Sequence, residues 1–252
     1  MKKIFVPILL ITCFPLNAVA GYEDTWDSLL KKYTSQGEKN GTALTLVDYK
    51  NIRNDKNWLA LINELKGAIS PVTLFRAGGS EKNRALAFWI NIYNIGAVKM
   101  MTDNYPLKSI KDKSKLFNAV WDQKIITVSS TEYSLGYIEH EILRKMGQPL
   151  IHVAIVCASV SCPDLLRESY QANKLDDQLN AQMKRFLGNK QKGFRLDKEK
   201  KNIYISLIFK WFEDDFGNIR KYIAQYLSRY KNELLDKKYN IKYLDYDWHS
   251  NE

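Results

Sequence analysis

The sequence predicts an α+β fold, a single domain in which one central buried helix packs on a mixed or antiparallel sheet. Three observations predict it. Residues 84–101 are apolar almost all round (Leu86, Phe88, Trp89, Ile90, Ile92, Tyr93, Ile95, Val98 and Met100), which is the pattern of a helix enclosed on every side. Short apolar or alternating runs recur at 44–47, around 121–128, at 193–205 and at 241–246, bounded by turn residues as strands are. Helices and strands then follow one another without a βαβ period, which argues against a doubly wound parallel sheet.

Taken in order, the chain opens with an export signal rather than with structure. Lys2 and Lys3 precede an apolar run from Ile4 to Leu16 that Pro7 and Pro15 interrupt, and Ala18-Val19-Ala20 before Gly21 forms a cleavage site. Cys13 lacks the small residues that lipoprotein processing would need before it. The run falls short of the ~20 consecutive apolar residues of a membrane helix, and no later segment approaches that length. Residues 21–252 are therefore expected as one domain, periplasmic or secreted, with no transmembrane segment. Losing Lys2 and Lys3 takes the net charge from +10 to +8. The remaining basic residues (Lys111 to Lys115, Lys198 to Lys201, Lys237-Lys238) are scattered among acids, which suits a solvated basic surface and not a specific nucleic-acid reader.

Helical spacing marks 26–33 and 58–68, with Trp58, Leu61, Ile62 and Leu65 on one stripe of the second. The central helix carries two amides, Asn91 and Asn94, on one stripe of a buried surface. An unmet buried amide costs about 1–3 kcal/mol, so both must reach partners, either to tie loops to the core or to orient a histidine or an oxyanion. A further helix is expected over 135–146, capped by Ser134. On it Glu139 shares the inward stripe of Leu135, Ile142, Leu143 and Met146, while His140 lies nearer the edge. Helices over 177–187, 207–215 and 218–237, and a charged-tip hairpin at 193–205, complete the reading.

The segment Ile151-His-Val-Ala-Ile-Val-Cys-Ala-Ser-Val-Ser-Cys-Pro163 is the chemical focus. Its β-branched run reads as a buried strand that delivers Cys157 into a small polar turn, with Pro163 opening a helix whose amino end favours a thiolate. Only Cys157 and Cys162 remain after export, and in an oxidising compartment a disulfide between them is an open alternative. Of the three histidines, His249 is near the terminus; His152, on an extended strand, would stand ~16 Å from Cys157, which favours His140 as its partner.

Several motifs together resemble one bacterial family. They are Phe88-Trp-Ile-Asn-Ile-Tyr-Asn94, Tyr105-Pro with Ser109-Ile110, Ile138-Glu-His140 with Leu143-Arg144, Cys157-Ala-Ser-Val-Ser-Cys-Pro163, and Tyr246-Asp-Trp248. In this order they are similar to the domain of unknown function 547, although His249-Ser250 replaces the more usual Ser-Leu. The resemblance implies a cysteine-peptidase-like or transglutaminase-like site of Cys, His and Glu. The expected function is thus a thiol hydrolase or acyltransferase on a peptide or envelope-polymer substrate. Cys157 would be its nucleophile, His140 or His152 its base, Glu139 or Asn94 the orienter, and the Ala158 and Ser159 amides the oxyanion donors. The alternative is a non-catalytic envelope binding protein with a structural Cys157–Cys162 pair. Two Cys and two His lack paired metal-site spacing, and no glycine-rich phosphate loop is present, so neither metal nor nucleotide cofactor is expected.

Overall fold

A computed structural model describes residues 21–67, 80–113 and 120–252. The expected leader with its cleavage site, and Lys115, lie outside these residues. The architecture is α+β, built around helix α4 (Ser80–Asp103), which is buried at every position from residue 85 to 98. A helix with no polar face has to be wrapped, and here it is wrapped on all sides. On one side lie α1 (Tyr22–Tyr33), α2 (Tyr49–Ile52) and α3 (Lys56–Gly67). On another lies the hairpin of β3 (Lys124–Val128) and β4 (Thr131–Ser134).

Among the described residues the sheet component is three small sheets, not one large one. Strands β1 (Thr34–Lys39) and β2 (Thr42–Val47) pair in antiparallel register through Asn40-Gly41, both with positive φ, as a tight hairpin turn requires. After α5 (Leu175–Gly188), β5 (Phe194–Asp197) and β6 (Asn202–Ile205) form the predicted second hairpin. Strand β7 (Asn240–Tyr243) adds to β6 in parallel, making this sheet mixed. The apolar run around 121–128 supplies only the first strand, β3, of a hairpin whose partner is β4. One apolar core runs from Tyr22 to Leu234 and joins the helices to most of the strands.

Two predicted helices are broken. The first is interrupted at Phe212, whose φ of −120° and ψ of 33° separate α6 (Ile208–Trp211) from α7 (Glu213–Phe216). The second divides into α8 (Ile219–Ala224), a 3-10 turn at Ser228–Tyr230 and α9 (Lys231–Leu235).

The predicted strand at 151–156 is the main correction. Pro149–Val153 is a 3-10 helix, with Pro149 in its first turn and the Gln148 side chain capping the Leu150 N–H at 3.2 Å. A short, wholly apolar run cannot be assigned to strand or helix by periodicity alone, and here burial in the core replaced strand pairing. No helix follows Pro163 either; the chain stays irregular until Leu175. The proposed helix amino end beside Cys157 is therefore absent.

Candidate active site

The predicted helix after Ser134 forms, and Ser134 Oγ accepts from the Tyr137 N–H at 3.2 Å. Its central stretch, Tyr137–Leu143, is a π-helix, tightening to a 3-10 turn at Arg144–Met146. Such widened turns are uncommon and concentrate at functional sites. Gly136 allows the helix to approach Trp121, because an added Cβ there would stand 2.9 Å from the Trp121 carbonyl oxygen. Glu139 points inward at 9 % exposure, as its stripe predicts, while His140 is exposed.

Asn94 and Asn91 solve the same problem in two places. Asn94 donates to the Ala154 carbonyl at 3.0 Å and accepts from the Val156 N–H at 2.9 Å. Asn91 donates to the Tyr170 carbonyl and accepts from its N–H, both at 2.9 Å, and also donates to the Tyr22 hydroxyl. Each thus satisfies an irregular backbone segment that has no sheet to join. Asn94 positions the Cys157 loop through its main chain, and its amide hydrogen bonds go to no histidine.

The other support of that loop is the C-terminal tail that follows the Tyr246-Asp-Trp248 motif. Val160 and Ser161 donate to the carbonyls of His249 and Asp247 at 2.9 and 3.1 Å, Ser159 pairs with Ser250, and Asn251 donates to the Ala158 carbonyl at 3.2 Å. Asn251 is itself anchored by the Tyr49 hydroxyl at 2.7 Å. Between these supports Ala158 adopts φ +56°, a left-handed conformation that costs a residue with a Cβ about 1 kcal/mol and turns the chain just after Cys157.

The Cys157 sulfur is surrounded by donors. Ser159 Oγ and the Tyr246 hydroxyl are each 3.2 Å away, and Cys162 Sγ is 2.8 Å away. The Cys157 N–H in turn donates to Cys162 Sγ at 2.8 Å. Both cysteines are free thiols. Burial by itself pushes the Cys157 thiol up, but the bonds from Cys162, Ser159, Tyr246 and the Ser159 N–H together bring it down to about 7. Burial and the neighbouring Cys157 charge push the Cys162 thiol well up, so it stays protonated and donates. Burial also pushes the Tyr246 hydroxyl up and keeps its proton in place. The thiolate-favouring elements are therefore hydroxyl, thiol and amide donors, not a helix dipole.

Cys157 opens into a cavity of about 260 Å³ that it shares with Glu139, His140 and His152. The far walls are aromatic: Trp121, Trp211, Phe212, Tyr246 and Trp248, with Trp211 stacked near Trp248 at 5.8 Å. In its helical turn His152 is not held away as an extended chain would hold it. A 3-10 helix rises only ~2 Å per residue, so the ground for preferring His140 over His152 falls away. His152 is 2 % exposed, stacks on Phe212 at 3.8 Å, and has Nε2 2.7 Å from Asp215 Oδ2. Burial lowers its pKa to about 4 despite Asp215, so the ring is neutral at ordinary pH. Glu139 is raised to about 7, first by burial and then by the Cys157 charge, which a long 3.4 Å bond from the Tyr93 hydroxyl and the Arg144 charge offset in part. His140 meets Arg144 at 3.2 Å; desolvation and the guanidinium charge lower its pKa.

The sequence reading did not single out Tyr246, Asp215, Arg144 or Phe212 as site residues. Tyr246 and Arg144 stood within the motifs of the resemblance, while Asp215 and Phe212 follow a helix break that leaves no sequence signal. Among the described residues, no group of three or more His, Cys, Asp and Glu could hold a metal ion, and no helix is long and apolar enough to cross a membrane.

No curated protein and no solved structure matches the chain. Residues 78–187, which contain α4, the π-helix and the Cys157 loop, match the family model described as protein of unknown function, DUF547, and this match supports that family for the chain.

Proposed function

We propose that this protein is an exported thiol hydrolase or acyltransferase, peptidase-like in its chemistry, with Cys157 as nucleophile and Glu139 as the group that moves the proton. One observation carries the reading: a cysteine whose sulfur is held by Ser159, Tyr246 and Cys162 faces Glu139 and His152 across one small aromatic cavity. A thiolate and a carboxylate so close disfavour each other, so at neutral pH the pair carries about one negative charge. In the resting form proposed for catalysis, Cys157 holds that charge and Glu139 holds the proton. A carboxyl with a pKa near the working pH is matched to acid–base work, whereas a neutral, low-pKa His152 serves as a hydrogen-bond acceptor. The alternative binding-protein reading draws on the 2.8 Å approach of the two sulfurs, which oxidation would close.

Iodoacetamide labelling against pH decides between them. The expected result is alkylation of Cys157 with an apparent pKa about 7, which loss of the Tyr246 donor raises. Labelling with the ~8.5 of a free cysteine, or a Cys157 locked to Cys162 in protein recovered from the cell envelope, overturns the hydrolase reading.

A further inference from the structure

The two ring nitrogens of His152 have unequal surroundings. Nε2 is bound to Asp215 Oδ2 at 2.7 Å, and Asp215 is itself held by Arg144 in a bidentate pair, Nε at 2.6 Å and Nη2 at 2.8 Å. Arg144 keeps the Asp215 carboxyl below the usual carboxylate range, and His152 adds to this. An ionised carboxylate only accepts, so Nε2 has to carry the hydrogen. Nδ1 is then a bare lone pair, fully buried and without a hydrogen-bond partner. It looks across 3.8 Å at Glu139 Oε1. The Phe212 stack at 3.8 Å and the Phe216 ring at 5.5 Å hold the imidazole in this orientation.

We propose that Asp215, gripped by Arg144, is the positioning residue of the site: it sets His152 in the Nε2–H tautomer, so that the bare Nδ1 faces Glu139. This rests on the thiol reading for its chemistry. In acylation the Cys157 sulfur bonds the substrate carbonyl carbon, the bond from that carbon to the leaving group breaks, and the Glu139 proton passes to the leaving group. A neutral thioester and a Glu139 carboxylate remain. In deacylation a water oxygen attacks the thioester carbon, the water proton passes to Glu139, and the sulfur leaves as thiolate, restoring the resting state. An Nδ1–H in the place of the lone pair would donate to the Glu139 carboxylate and weaken it as a base. The bare nitrogen instead leaves the carboxylate basic and gives the protonated acid an acceptor.

The groups facing Glu139 are Tyr93 from α4, Arg144 from its own helix, Cys157 from the loop, His152 and Asp215. Those facing His152 are Asp215, Arg144, His140 and Glu139. In Asp215→Asn the amide oxygen stays with Arg144 and the amide N–H₂ turns to Nε2, which must then accept, so the hydrogen moves to Nδ1. Both this new donor and the loss of the Asp215 charge lower the Glu139 pKa.

The test uses the full chain and para-nitrophenyl acetate, whose leaving group needs no proton in acylation. In wild type, nitrogen NMR of the histidine rings should find His152 protonated on Nε2. In Asp215→Asn the proton should move to Nδ1. A para-nitrophenolate burst should survive, while steady-state turnover falls further than the burst rate, on the order of 10²-fold, and its pH limb moves to lower pH. Asp215→Glu, which keeps the carboxylate, should restore both tautomer and limb. A wild-type His152 protonated on Nδ1, or an Asp215→Asn protein with unchanged tautomer and pH limb, overturns the proposal. The wild-type spectrum needs no variant to fold. The wild-type burst tests the thiol reading separately, since absence of an acyl-Cys157 burst defeats the thiol chemistry and leaves the tautomer assignment standing.

Discussion

Two clusters of ionisable groups lie close to the Cys157 loop, and they are built on opposite principles. In the first, Lys192 is 2 % exposed and its ammonium sits 2.7 Å from Asp164 Oδ1. The same oxygen accepts from the Thr45 N–H at 3.1 Å, and the Asp164 carbonyl accepts from Gln182 at 2.7 Å. Opposite charges meet and neutralise each other, binding β2 and α5 to the segment after Pro163. In the second, Glu139, His152, Asp215 and Arg144 form a chain in which satisfaction runs out toward the cavity: Arg144 to Asp215 is tight, Asp215 to His152 is tight, His152 to Glu139 is a gap. Each cluster buries ionisable groups, Lys192 in the first and Glu139 and His152 in the second, so burial alone does not mark function. The mark is the remainder left unsatisfied beside an open space.

The largest expected effect separates the clusters by stability. Lys192→Met leaves Asp164 buried without its cation and should cost about 3–5 kcal/mol in chemical unfolding, with the apparent Cys157 pKa in folded protein unchanged. A loss below about 1 kcal/mol would mean that the first cluster is not closed as described.

The next effect has the opposite sign. The folded pKa of Glu139, about 7, lies above the ~4.3 of a free glutamate, so the folded state keeps a proton that the unfolded state has lost. Its contribution to stability therefore declines as pH rises from about 4 to about 7, a cost of about 4 kcal/mol in full. His152 runs the other way over nearly the same window, because a folded pKa of about 4 against ~6.5 lets the unfolded state bind the extra proton. Wild type should be nearly level there. Glu139→Gln should instead gain stability steadily as pH rises, ending above wild type at about pH 8. Parallel curves for the two proteins would show that Glu139 is not held protonated by burial.

The smallest effect concerns the thiol alone. Tyr246→Phe removes one donor to the Cys157 sulfur, and hydrogen bonds to charged groups are worth about 1.5–3 kcal/mol, so the thiol pKa should rise by roughly one to two units. Alkylation near neutral pH should slow about tenfold, while the melting transition moves little. An unchanged labelling profile would remove Tyr246 from the site.

Part of this arrangement is legible in the chain and part is not, and the division follows the range of the interactions. The phase of Glu139 is local, set by Leu135, Ile142, Leu143 and Met146, and survives even the widened π turn. The need of Asn91 and Asn94 for partners is equally local, since any amide on an all-apolar helix must find them. Which partners they take is not. Nothing near Asn94 in sequence says that it clamps Ala154 and Val156, and the strand reading of 151–156 failed because the core, not a neighbouring strand, satisfies that run.

By itself the sequence determined the α+β class, the central helix, the inward Glu139 and the placing of a cysteine pair in a polar turn, because periodicity, capping and turn chemistry act over a few residues. Tertiary structure alone decided what surrounds the Cys157 sulfur. Tyr246 arrives 89 positions later along the chain and Asp215 reaches His152 across 63. The break at Phe212, whose ring stacks on His152, is announced by no helix-breaking residue in the sequence. Hydrogen bonds and pKa values depend on distances of a few ångströms between atoms, and for residues far apart in the chain those distances exist only after the core has formed.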